Sequence, residues 1–103
     1  MINFFQKIFG SKVDYAELVN NGAVIIDVRT PAEFSAGHIK GAVNIPVDKI
    51  GNQIEKIKKY DKPIITCCRS GARSGMAAST LKSKGLEVYN GGPWDSLKNK
   101  IKK

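Results

Sequence analysis

Two runs in this chain are apolar almost from end to end, and each leads directly toward a helix start. Ala23-Val24-Ile25-Ile26-Asp27-Val28 lacks the in-out alternation of a half-buried strand. A continuous β-branched run of this length reads as a strand covered on both faces. It ends at Arg29. In Thr30-Pro31-Ala32-Glu33, Thr30 then reads as a helix cap, Pro31 as the first helical residue and Glu33 as the closing member of a capping box. Gly37 keeps that helix short. Pro63-Ile64-Ile65-Thr66-Cys67 repeats the pattern and passes through a short loop into a helix over residues 72–84. Met76, Ala77, Thr80 and Leu81 mark its expected buried face, and Gly85 ends it.

The rest of the chain alternates in the same way. Asp14 caps a helix reaching about Asn21, with Glu17 three residues on and Gly22 as its stop. Ala42-Val43-Asn44-Ile45 is a brief strand stopped by Pro46. Asp48 is expected to cap the next helix, where Ile50, Ile54 and Ile57 form one apolar stripe. Residues 86–89 give the last strand, Asn90-Gly91-Gly92-Pro93 a turn, and Trp94 and Leu97 lie on a final short helix. Strands alternating with helices imply an α/β fold, a parallel sheet with helices on both faces. Four strands are clear, and a fifth is expected at Lys12-Val13.

A length of 103 residues suits one domain with a single modest core. Residues 1–11 read as an N-terminal extension, 12–98 as the domain and 99–103 as a basic tail. No apolar run approaches the ~20 residues of a membrane span. Near the start, Phe4, Phe5, Ile8 and Phe9 are interrupted by Gln6 and Lys7, with no cleavage site following, so this is not a signal peptide. The segment is expected to pack on the domain or fray, with a short amphipathic helix against a membrane or partner as the alternative. A cytoplasmic location is the resulting expectation.

The two cysteines, Cys67 and Cys68, are adjacent, and adjacent strand residues point to opposite faces. Such a pair does not easily meet the geometry of a relaxed disulfide, so it reads as no structural staple, which fits a reducing compartment. With His38 as the single histidine and no spaced Cys/His set, no metal and no cofactor is expected. The net charge of +8 comes largely from Lys56-Ile57-Lys58-Lys59 and the tail from Lys98 onward. No nucleic-acid motif accompanies it. It reads as a solvated basic surface that also favours anionic substrates.

Chemistry concentrates in Cys68-Arg69-Ser70-Gly71-Ala72-Arg73-Ser74. A strand delivers a thiol into a loop with one glycine, small polar residues and two arginines, immediately before a helix. Backbone N–H groups and a helix N-terminus together hold anions. The same field favours thiolate, the reactive form of cysteine. Ligands of open α/β sheets bind at this carboxyl end of the strands. Cys68 is therefore the candidate nucleophile, with Arg69, Ser70, Gly71, Ala72 and Arg73 binding a small anionic substrate, a structural role for one of the two arginines as the alternative, and Cys67 a buried strand residue rather than a resolving thiol.

The chain resembles the rhodanese family, specifically its single-domain members. The resemblance is carried by Asp27-Val28-Arg29-Thr30-Pro31-Ala32-Glu33-Phe34, by Gly37-His38-Ile39-Lys40-Gly41-Ala42-Val43-Asn44-Ile45-Pro46, by the segment from Cys68 to Ser74, and by Gly91-Gly92 and Trp94. Lys40 replaces a common proline, and Pro93 stands between the glycine pair and Trp94. The resemblance implies a three-layer α/β fold around a mostly parallel five-stranded sheet. It implies a sulfurtransferase in which Cys68 carries sulfur as a persulfide, taken from a small anionic donor such as thiosulfate and given to a thiol, a protein acceptor or cyanide. Asp27, Arg29, Glu33 and His38 are expected to be scaffold, with Arg29, Ser74 and Trp94 as possible supports of the site.

Two other functions compete. A cysteine-dependent phosphatase or arsenate reductase of similar fold implies a loop one residue longer than the six residues from Cys68 to Arg73. A sulfur-relay or binding module for a partner protein would keep the fold and show little activity on free thiosulfate.

Overall fold

The computed structural model describes residues 13–102. The expectations for the N-terminal extension and for Lys12 lie outside the described residues. Among those described, the elements in order are α1 (Tyr15–Asn20), β1 (Val24–Asp27), α2 (Pro31–Ala36), β2 (Val43–Asn44), a 3-10 helix (Val47–Gln53), α3 (Ile54–Tyr60), β3 (Ile64–Cys68), α4 (Ala72–Ser83), β4 (Val88–Pro93) and α5 (Trp94–Lys100).

The sheet has four strands in the order β2-β1-β3-β4, and every pair is parallel. The expected fifth strand is absent among the described residues. Val13 stands directly before Asp14, whose carboxylate accepts from the Glu17 N–H at 3.0 Å and commits the chain to α1. β1 and β3 are central, so both their faces are covered. Ile26, Val28, Ile64 and Cys68 face a core built with Ile50, Ile57, Ala77, Ala78 and Leu81 of the 3-10 helix, α3 and α4. Ile25, Ile65 and Cys67 face a smaller core closed by Leu97 of α5 and by Tyr15, Leu18 and Val19 of α1. The period-2 alternation of strand side chains thus sorts the two cysteines into separate layers.

Several boundaries differ from expectation. Asp48 does not cap a helix: the chain turns at Pro46, whose carbonyl accepts from Lys49 N–H at 2.8 Å, and winds as 3-10 before α3 begins. On α4 the buried residues are Ser74, Ala77, Ala78 and Leu81. Met76 is 64% exposed and Thr80 is exposed as well, because both sit off that stripe. The Asn90-Gly91-Gly92-Pro93 segment is no free turn but the end of β4, running beside β3 past a register shift between Thr66 and Cys68. Gly91 is required there. A Cβ would lie 2.9 Å from each of Ile65 Cγ2, Leu97 Cδ2 and the Thr66 carbonyl oxygen.

Candidate active site

Cys68 is the last residue of β3, and its sulfur is fully buried. The chain bends at Arg69 and Ser70, both exposed, and turns at Gly71 with φ 103°, a left-handed conformation that glycine adopts without strain. That turn aims backbone donors at the thiol. Gly71 N–H donates to Cys68 Sγ at 2.9 Å and Ser74 N–H at 3.4 Å, and Ser74 Oγ lies 3.3 Å away. Burial pushes the Cys68 thiol up. The Ser74 hydroxyl and the N–H groups of Ser74, Gly71 and Ser70 outweigh it and bring the thiol below its ordinary value. The neighbouring thiol shows the opposite balance. Burial, then the Asp27 carboxylate, push Cys67 up to about 12, Arg29 opposing.

The two loop arginines are placed differently. Arg73, in the first turn of α4, is taken up by Glu33 of α2 through two bonds, Nη1 to Oε1 at 2.8 Å and Nη2 to Oε2 at 3.1 Å. The Arg73 guanidinium, followed by the Thr30 N–H, holds the Glu33 carboxyl down at about 2. Glu33 also completes the Thr30 capping box at the start of α2, so one carboxylate ties that helix to the loop. Arg69 has no such partner among the described residues. Arg69 is exposed, as are Ser70 and Ala72 of the same loop.

Arg29 is buried and paired. Its Nε and Nη2 donate to Asp27 at 2.9 and 2.7 Å, and Nη2 and Nη1 donate to the carbonyls of Gly37 and Glu33 at 2.7 and 3.3 Å. The Trp94 ring covers it at 4.8 Å and also lies against Gly37. His38 stacks on Phe34 and its Nδ1–H donates to the Phe34 carbonyl at 2.7 Å, so the ring is engaged at the end of α2. Ser74 is buried inside the loop, whereas Arg29 and Trp94 form a clamp between β1, α2 and α5.

One member of the site escaped the sequence reading. Asn90 Oδ1 accepts from Ser74 Oγ at 2.7 Å and from Gly92 N–H at 3.0 Å. The residue reads locally as a turn former, and only the pairing of β4 with β3 brings it to the loop. The Glu33–Arg73 pair spans 40 residues and was likewise absent from local pattern, although a cation at a helix N-terminus signals an unseen partner.

"Uncharacterized protein YqhL" of Bacillus subtilis is 46% identical over 69 residues, covering 66% of this chain and 54% of the relative, so the chain spans about half of that protein's length. "Thiosulfate sulfurtransferase GlpE" of Ectopseudomonas mendocina is 37% identical over 75 residues, covering 72% of this chain and 68% of the relative. The crystal structure of reduced Bacillus anthracis CoADR-RHD superposes with a TM-score of 0.71 at 38% identity, covering 82% of this chain and 15% of that one. The sequence model of the rhodanese-like domain matches residues 11–93, and by that match this chain belongs to the rhodanese-like domain family.

Proposed function

We propose that the chain is a sulfurtransferase that moves sulfane sulfur through a persulfide on Cys68. The observation that carries this reading is a buried sulfur facing the N–H groups of Gly71 and Ser74 at 2.9 and 3.4 Å. Such a cradle stabilises negative charge on sulfur without a general base. The Cys68 thiolate attacks the outer sulfur of thiosulfate, the S–S bond of the donor breaks, and sulfite leaves with the bonding pair. The outer sulfur of the new persulfide is then attacked by a thiolate or cyanide, and the Cys68 thiolate returns. Arg69, exposed and unengaged by the described residues, meets the donor's oxygens, while Arg73 holds the loop through Glu33. The name of the GlpE relative supports thiosulfate as a donor.

Intact mass after mixing with thiosulfate tests the reading. The parent protein and Cys67→Ser gain one sulfur, and Cys68→Ser gains none. No gain in the parent, or an unchanged gain in Cys68→Ser, overturns it. The full burial of Cys68 Sγ favours a second reading, relay to one protein acceptor, which predicts loading by thiosulfate but slow discharge to small thiols.

A further inference from the structure

We infer that Asn90 is a positioning residue that sets the reactivity of Cys68 by competing with its sulfur for the single proton of the Ser74 hydroxyl. The inference rests on the reading of Cys68 as the reacting thiol. A serine hydroxyl has one hydrogen to give and two lone pairs to accept with. Two acceptors face Ser74 Oγ, Asn90 Oδ1 at 2.7 Å and the Gly71 carbonyl at 3.1 Å, and Cys68 Sγ at 3.3 Å donates to it as a thiol and becomes a third acceptor as a thiolate. The shortest bond goes to Asn90. The amide orientation is fixed, because Gly92 N–H points at the same Oδ1 and needs an acceptor. The backbone of Asn90 is fixed in turn by Tyr15, whose hydroxyl donates to the Asn90 carbonyl at 3.1 Å.

The proton therefore has two settings. With Cys68 as a thiol, S–H donates to Ser74 Oγ and Ser74 O–H donates to Asn90. With Cys68 as a thiolate, Ser74 O–H turns toward Sγ. Asn90 Oδ1 then keeps the Gly92 N–H, so the turn leaves no acceptor empty. When sulfur is loaded, charge moves to the outer sulfur, Sγ becomes a neutral bridging atom, and the hydroxyl returns to Asn90. Asn90 thus restrains the free thiolate and favours the loaded loop.

Other charges around Cys68 are the exposed Arg69 next to it in the loop, the Arg73–Glu33 pair of α4 and α2 and the Asp27–Arg29 pair of β1, while Cys67 of β3 stays a thiol. On β4 the nearest titratable group is Tyr89, whose hydroxyl donates at 2.6 Å to Glu87, just before the strand. The following variants leave all of them in place.

The test is the pH dependence of alkylation by iodoacetamide, followed by mass on the intact protein, for Asn90→Asp, Asn90→Leu, Ser74→Ala and both double variants. Asn90→Asp holds the proton harder and moves the inflection up by about one pH unit or more. Asn90→Leu frees the proton and moves it down. In the Ser74→Ala background the first effect falls below half and the second vanishes. A rise in Asn90→Leu, or the same Asn90→Asp shift with and without Ser74, overturns the inference. If Asn90→Leu fails to melt cooperatively, the Asn90→Asp and Ser74→Ala cycle decides alone. Alkylation needs no sulfur donor, so this outcome stands apart from failure of thiosulfate to load Cys68.

Discussion

Asp27→Ala is the substitution with the largest expected cost outside the loop. It removes the carboxylate that meets Arg29 at 2.7 and 2.9 Å, where the two side chains are 0% and 5% exposed. What remains for the guanidinium is two carbonyl oxygens, on Gly37 and Glu33, and the face of Trp94. These solvate a cation but do not neutralise it. Breaking a buried pair by removing one partner costs about 3–5 kcal/mol. At about 0.05–0.15 kcal/mol per residue, a domain of this size holds roughly 5–15 kcal/mol in all, so about a fifth or more of its stability is at stake. The melting midpoint should fall by roughly 12–40 °C at about 4–8 °C per kcal/mol. Urea unfolding, with the slope compared between variants, measures the loss directly. Asp27→Leu combined with Arg29→Met should recover most of it, since an apolar pair needs no counter-charge. A loss under about 1 kcal/mol for Asp27→Ala would show that the carbonyls and Trp94 suffice and refute the account of Arg29 as a dependent buried cation.

Three further outcomes follow from the geometry. Arg69→Ala should raise KM for thiosulfate with kcat nearly kept, whereas Arg73→Ala should lower kcat and the melting temperature together; steady-state kinetics and a melt on each variant check the division. Glu33 sits at about 2 in the folded chain against an ordinary 4.5, so its contribution is complete above pH 4.5 and is lost as pH falls toward 2; Glu33→Gln should flatten the acid limb of stability against pH in that window. Gly91→Ala should cost about 1–3 kcal/mol or more by overpacking, because the Thr66 carbonyl in its path is backbone and cannot rotate away; an unchanged urea midpoint would contradict the close approach.

What could be read from the chain was what local physics determines. The Thr30-Pro31-Ala32-Glu33 start is legible because the cap and its reciprocal partner are three residues apart, and both bonds are present. Cys68 and its loop are legible because a strand, a glycine and a helix start suffice to aim N–H groups at one atom. The α4 stripe was misphased because Ser74, Ala77 and Ala78 are small and weakly apolar, while the large Met76 points outward. The end of β4 was read as a turn because Asn, Gly and Pro punctuate chains locally, whereas here they let the strand pass close to β3. The roles of Glu33 and Asn90 at the loop depend on contacts spanning 40 and 16 residues, which no window of sequence contains.

The placement of Cys67 and Cys68 in separate cores makes the pair a built-in gauge of two kinds of motion. One peptide bond joins a thiol whose labelling follows the chemistry of its loop to a thiol masked by α1, α5 and a pKa of about 12. Modification of Cys67 then requires the layer formed by α1 and α5 to lift from the sheet. In Cys68→Ser, its labelling rate measures the free energy of that opening, as hydrogen exchange does for amides. Adding a partner or lowering the salt would show, through this silent neighbour, whether binding stiffens the face of the sheet away from the α4 core.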